Sequence, residues 1–226
     1  MRSLFVCFVA LGLAMAAGSR AQAGTIQLAS PSALSASDTT LIFTGTIGSV
    51  STSPVVYTAG TNTLTFTDAG NLFELDQAGN NYFATSFPTG TNILYAGGFH
   101  GSAAPITLTF ANPVTQFGFT AEEFAGGPYT ITFDAWDGAT NLGAFTATGC
   151  DPVGSCAASG GVLSFEGLMA TGGVGITSVT ISDTNGNNIG LGPVTFGGTV
   201  PEPSSLLLLG VALAGLGLVI RRRRAV

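Results

Sequence analysis

The chain has 226 residues, enough for one domain with a sizeable core and appendages at its ends. Its formal net charge of −6 hides an uneven layout: there is no lysine, the six arginines are Arg2, Arg20, Arg221, Arg222, Arg223 and Arg224, and Gly24 to Val200 sets eleven Asp and Glu against no Lys or Arg. Such a segment has nothing with which to neutralise phosphates, which excludes nucleic-acid binding and adhesion to anionic lipid headgroups.

Charged side chains are only 8% of the whole while apolar ones are 46%, so charge-driven disorder is the wrong description. The composition predicts a neutral, hydroxyl-rich β domain. Residues 1–23 come first. Arg2 precedes an apolar run from Leu4 to Ala17, and Ala21-Gln22-Ala23 offers the small residues a signal peptidase needs. This predicts a secretory signal peptide cut after Ala23. Cys7 lies inside the run without a lipoprotein box and leaves with it.

Between residues 24 and 199 short strand-like runs recur every eight to twelve residues, separated by Gly, Pro, Asn and Asp. The clearest are Thr40 to Ile47, Asn62 to Thr67, Pro105 to Phe110, Val114 to Thr120, Tyr129 to Trp136, Gly161 to Leu168, Ile176 to Ser182 and Asn188 to Phe196. Alternation puts Leu64 with Phe66 on one face, and Ile106, Leu108 and Phe110 on another. No helical period and no internal repeat is found between the termini. The pattern predicts an all-β fold, an antiparallel β-sandwich of the jelly-roll kind.

The chemistry-bearing residues in this stretch are few. His100, the only histidine, sits in GGFHGS without a Gly-x-Ser-x-Gly elbow, so a loop histidine with no chemical role is expected. Glu122, Glu123 and Glu166 could in principle supply paired carboxylates for glycoside hydrolysis, but acidic turns are the plainer reading. In YTITFDAWDG, Tyr129, Ile131, Phe133 and Ala135 share one face, while Trp136 falls with Thr130, Thr132 and Asp134 on the other. An indole beside the carboxylates of Asp134 and Asp137 suits stacking on a sugar ring. The alternative is that alternation breaks at a strand end and Trp136 tucks under a loop.

Cys150 and Cys156 enclose a short Gly/Pro loop and predict a structural disulfide outside the cytoplasm. A metal site there would need ligands the sequence lacks. Asp183-Thr184-Asn185-Gly186-Asn187 starts like a calcium loop, yet Asn188 stands at the sixth position and Val194 at the twelfth. Asn-Gly reads instead as a hairpin turn. No cofactor is expected; calcium could serve only to offset the negative charge.

Pro201 and Pro203 keep Val200 to Pro203 extended ahead of an uncharged run from Ser204 to Ile220. As a helix, about 204–220, this run would span about 25 Å of bilayer. Arg221, Arg222, Arg223 and Arg224 are costly to move through hydrocarbon and act as a membrane stop. They stay cytoplasmic, leaving the domain outside, as the signal peptide also demands. Val200-Pro201-Glu202-Pro203-Ser204-Ser205, the Leu-rich span and the terminal arginines together resemble the PEP-CTERM sorting signal, which covers 200–226 here. The resemblance implies that Pro201, Glu202 and Pro203 are recognised by exosortase, a transpeptidase-like membrane protease of exopolysaccharide-producing Gram-negative bacteria. It further implies transient residence in the inner membrane, then transfer to the cell surface or matrix. ITSVTISDTNGNNIGLGPVTFGG also resembles the terminal hairpin of such proteins, with Asn188-Ile189-Gly190-Leu191 where an acidic pair is frequent. On this reading the protein is a non-enzymatic surface or biofilm-matrix component, or alternatively a carbohydrate-binding module with Trp136 and Asp134 at its face.

Overall fold

A computed structural model describes residues 24–68, 72–79, 86–96, 105–123, 126–152, 156, 161–185 and 188–199. The strands in its first half are β1 (Gly24–Gln27), β2 (Thr39–Leu41), β3 (Ser49–Thr52), β4 (Val55–Ala59), β5 (Asn62–Asp68), β6 (Leu72–Gln77) and β7 (Asn92–Ala96). Then come β8 (Ile106–Glu123), β9 (Gly127–Asp137), β10 (Thr140–Asp151), β11 (Ser164–Thr171), β12 (Ile176–Asp183) and β13 (Ile189–Thr199). All pairings are antiparallel, and no α-helix occurs among the described residues. The all-β expectation holds.

The 18-residue strand β8 organises the rest. Its first part lies between β5 and β12, extending to the order β4-β5-β8-β12-β9-β10. Its second part lies between β11 and β13, giving β1-β11-β8-β13-β7-β6-β3, with β2 also on β13. Both sets feed one core. Phe66, Leu108, Phe133 and Ile181 from the first and Phe117, Leu168, Val194 and Phe196 from the second are all buried in the same cluster. Phe110 joins them, its ring 6.0 Å from Phe117 and 5.9 Å from Phe196.

The sequence predicts two strands where β8 is one. Pro113 cannot donate to a ladder, so a break before Val114 is the natural expectation. The strand continues because the proline falls where the β12 register shifts between Ser178↔Thr109 and Ile176↔Val114. Asn62 supplies the missing partner: its side-chain Oδ1 accepts from Asn112 N at 2.9 Å and its Nδ2 donates to Asn112 O at 2.8 Å. The expected strand at Thr40 to Ile47 shrinks to Thr39–Leu41, and the expected Gly161 start moves to Ser164.

The expected hairpin around Asn185-Gly186 is corrected. Strand β12 pairs with β8 and β9, whereas β13 pairs with β8, β7 and β2, so the segment carries the chain between the two sets. The turn itself is present at Thr184-Asn185, where Asp183 Oδ2 accepts from Asn185 N at 2.9 Å. Cys150 and Cys156 form the expected disulfide, their Cα atoms 5.9 Å apart. Beside it, Cys150 and Val162 exchange two backbone hydrogen bonds of 2.7 Å.

Candidate functional site

Glu122, Glu123 and Glu166 are not turn residues. Glu122 and Glu123 end β8, Glu166 lies within β11, and all three are buried. Strand alternation decides what they can do together. Ser164 pairs with Ala121 and Glu166 with Phe119, whose side chains belong to the main core, so Glu166 points inward. Glu122, one residue beyond Ala121, falls on the opposite face. A sheet therefore separates these two carboxyls, and they do not flank a common bond.

On the inner face Ser164 Oγ lies 2.5 Å from Glu166 Oε1 and 3.0 Å from Ala121 O. Tyr129 Oη donates to Ala121 O at 2.8 Å and accepts from Ser164 N at 3.1 Å. One serine proton can serve only one of its two acceptors. Burial pushes the Glu166 carboxyl up to about 8, with the Ser164 contact pulling the other way. Its acid proton then completes the network. Glu166 Oε2 has no hydrogen-bond partner among the described residues. Burial also raises the Tyr129 phenol, keeping it a donor. Its ring lies over Gly149, the residue opposite it in register, where any Cβ would overlap the phenol.

The outer face of the second set carries another acidic group. Strand β7 buries both of its faces: Leu94 and Ala96 join the main core, Ile93 and Tyr95 a smaller cluster with Ala78 and Phe87. Both Glu122 oxygens accept from Ser86 N, at 2.9 and 3.2 Å. Burial raises the Tyr95 hydroxyl, and the nearby carboxyls of Glu122, Asp151 and Asp76 add to it. Sequence patterning missed the roles of Ser164, Tyr129, Ser86 and Tyr95, because the hydroxyl and backbone groups that gather around buried acids have no spacing of their own.

Trp136 and Asp134 stand together on the solvent side of β9, as the alternation predicts. Tyr129, Ile131, Phe133 and Ala135 are buried, while Thr130, Thr132, Asp134 and Trp136 are half-buried. The strand runs on through Asp137, with the burial alternation ending at Ala135, since Trp136 and Asp137 are both half-buried. In register, Trp136 faces Asn141 on β10 and Ser178 on β12, and Asp134 faces Ala144 and Thr180. None of these four neighbours carries a charge or a ring, which leaves the indole and the carboxylate as the distinctive groups among them.

Among the described residues no three His, Cys, Asp or Glu side chains gather closely enough to hold a metal ion. His100, the cleavage-site residues Ala21 and Ala23, and the sorting residues Pro201, Glu202 and Pro203 lie outside the described residues. So do the apolar run 204–220 and the expected membrane stop of Arg221, Arg222, Arg223 and Arg224. No helix among those described is long and apolar enough to cross a membrane.

Comparison with known families places the remaining feature. Residues 199–224 match the family model of the PEP-CTERM protein-sorting motif. The match takes in Pro201, Glu202 and Pro203 at its start and Arg221, Arg222, Arg223 and Arg224 at its end. It begins at Thr199, the last residue of β13, so the sorting signal starts where the final strand ends. No curated protein matches the chain. The motif marks an exported protein whose membrane-anchored precursor is processed by exosortase, itself a membrane protein.

Proposed function

We propose that this chain, sorted through its PEP-CTERM signal, is a non-enzymatic structural protein of the bacterial cell surface or of an exopolysaccharide and biofilm matrix. The observation that carries the proposal is the sorting-motif match at residues 199–224. A signal peptide cut after Ala23 starts export, and an apolar helix near 204–220 holds the chain in the inner membrane. Arg221, Arg222, Arg223 and Arg224 stop the helix there while Pro201, Glu202 and Pro203 are read. The domain that reaches the outside is a β-sandwich of the jelly-roll kind, with one core fed by two sets of strands around β8. The absence of Lys and Arg from Gly24 to Val200 suits a protein that must not stick to anionic surfaces.

The test is Glu202→Ala in the producing bacterium. The variant is expected to stay membrane-bound with its tail attached, while the parent is trimmed and found outside the cell. Trimming and release at the parent's level would refute sorting through this signal.

A second reading is a carbohydrate-binding module of the same matrix. It is favoured by Trp136 and Asp134 standing side by side on the solvent face of β9. A flat indole beside a carboxylate offers stacking and hydrogen bonding to a sugar ring. Calcium assistance, if it occurs, rests on the negative charge alone. The full chain in neutral detergent should bind a glycan array with or without calcium and lose binding on Trp136→Ala. An array with no bound glycan under either condition leaves the structural reading standing alone.

A further inference from the structure

The solvent face of the first set of strands carries polar side chains in register across neighbouring strands, with hydroxyls on three adjacent strands, β5, β8 and β12, in each of its two longest rows. One row runs Thr65, Thr109, Ser178, Trp136 and Asn141 over β5, β8, β12, β9 and β10. The row beside it runs Thr67, Thr107, Thr180 and Asp134. Toward the other end Ser182 faces Thr132, which faces Thr146, and Thr130 faces Thr148. Within a row the groups repeat about every 4.8 Å, and along a strand about every 6.8 Å. Asp134 is the only charged side chain in these rows. Thr146 and Thr148 also border a cleft of about 490 Å³ whose opposite wall includes Gln27, Leu28 and Phe165.

Building on the carbohydrate-binding reading, we infer that this face is a docking surface for a neutral polysaccharide chain laid across the strands. Charge chooses the class of partner. No Lys or Arg exists between Gly24 and Val200 to hold a polyanion, and the ionised members of its eleven acids repel one. Of the large exposed apolar residues among those described, Val56 lies opposite Thr65 at the β4 edge and Val162 opposite Cys150, two residues past Thr148, so an apolar protein partner finds single residues at the margins and no patch. Uncharged hydroxyls with one carboxylate suit a ligand that is itself hydroxylated and neutral. The strand repeat is close to the length of one sugar in an extended chain, so successive sugars meet a hydroxyl on β5, β8 and β12 and then Trp136 or Asp134 on β9. Trp136 supplies a stacking platform partway along, and the cleft beside Phe165 supplies a concave end. Ice is the other hydroxyl lattice such a face could meet. Adjacent strands rotate by about 20–25°, so five of them turn through roughly a right angle, which a flexible chain can follow and a flat crystal plane cannot.

The experiment is affinity electrophoresis of the full chain in neutral detergent, through gels containing a soluble β-glucan, a galactomannan or alginate. At least one neutral polymer should retard the protein and alginate should not. Trp136→Ala should weaken retardation about tenfold, and the combined variant Thr107→Val, Thr109→Val, Thr180→Val about fivefold. Valine keeps the β-branched shape, and unchanged thermal melting verifies the fold. Thr40→Val with Thr195→Val, a hydroxyl pair 3.0 Å apart on β2 and β13, should change nothing. Retardation that falls with Trp136→Ala but survives the valine substitutions overturns the hydroxyl surface and leaves the carbohydrate reading intact. Retardation in no neutral gel overturns both. Binding of alginate, or inhibition of ice recrystallisation that the valines abolish, overturns the choice of ligand.

Discussion

A carboxyl in the centre of an apolar core must be neutral, paired or absent, and Glu166 takes the first course. It is fully buried, hydrogen-bonded through one oxygen to Ser164, and pushed up to about 8 by burial. In the unfolded chain the same group titrates near the usual value of about 4.3. Folding therefore takes up a proton between these two values, and stability falls as pH rises through that window. The slope is at most about 1.4 kcal/mol per pH unit for one proton, flattening below and above it. Glu166→Gln keeps a donor for Ser164 and removes the titration. In urea unfolding from about pH 5 to 8 the parent should lose stability relative to the variant as pH rises. Parallel curves would mean that Glu166 is ionised in the folded protein. The glutamate itself was visible in the sequence, but its role was not. Its isolation between Phe165 and Gly167 gives no sign of whether it faces water or the core, and only the register with Phe119 settles that.

At the scale of the element, strands with large alternating side chains were legible and the others were not. Strands β5, β9, β12 and β13 lie close to their predicted spans because Leu64, Phe66, Ile131, Phe133, Val179, Ile181, Val194 and Phe196 mark a core face. Strand β10 went unrecognised, since Gly143, Ala144, Ala147 and Gly149 blunt its pattern. It is held by context, with the Phe145 ring tilted against Phe133 at 5.8 Å and Gln27 Nε2 donating 2.8 Å to Thr146 O on its outer edge. Strands β6 and β7 bury both faces, which erases alternation. The bend of β8 is the sharpest case, because a side chain rather than a strand completes the ladder at Asn112. Asn62 is 5% exposed while Asn112 is exposed, so loss of the Asn62 amide removes two hydrogen bonds from a backbone that water can reach. Asn62→Ala should cost about 1–3 kcal/mol in chemical denaturation. Asn62→Asp, which keeps the acceptor but sets a carboxylate oxygen against the Asn112 carbonyl, should cost at least as much. A loss below a few tenths of a kcal/mol for alanine would show that water replaces the amide freely and that β8 bends without this support.

The whole molecule is governed by a charge distribution with no counterpart in ordinary globular domains. Eleven acids and no Lys or Arg lie between Gly24 and Val200, so no carboxylate there can pair with a Lys or Arg of the same segment. Stability comes from the shared core and the ladders; the carboxylates accept local hydrogen bonds, as Glu122 and Asp183 do, and those that are ionised repel one another. Such repulsion acts over distances comparable with the Debye length, about 30 Å at 0.01 M salt and about 10 Å at 0.1 M, so salt should relieve it. The thermal midpoint of the full chain in neutral detergent should therefore rise by a few degrees as NaCl increases from about 0.01 to 0.3 M. A domain held by surface ion pairs would show the opposite trend. Calcium chloride at matched ionic strength separates screening from binding: a midpoint equal to that in NaCl indicates screening alone, and a further rise at low millimolar calcium indicates a bound ion. A midpoint that falls or stays flat with NaCl would mean that the acids are already neutral, most of them protonated as Glu166 is. The electrostatic argument for a neutral ligand on the hydroxyl face would then lose the repulsive field on which it draws.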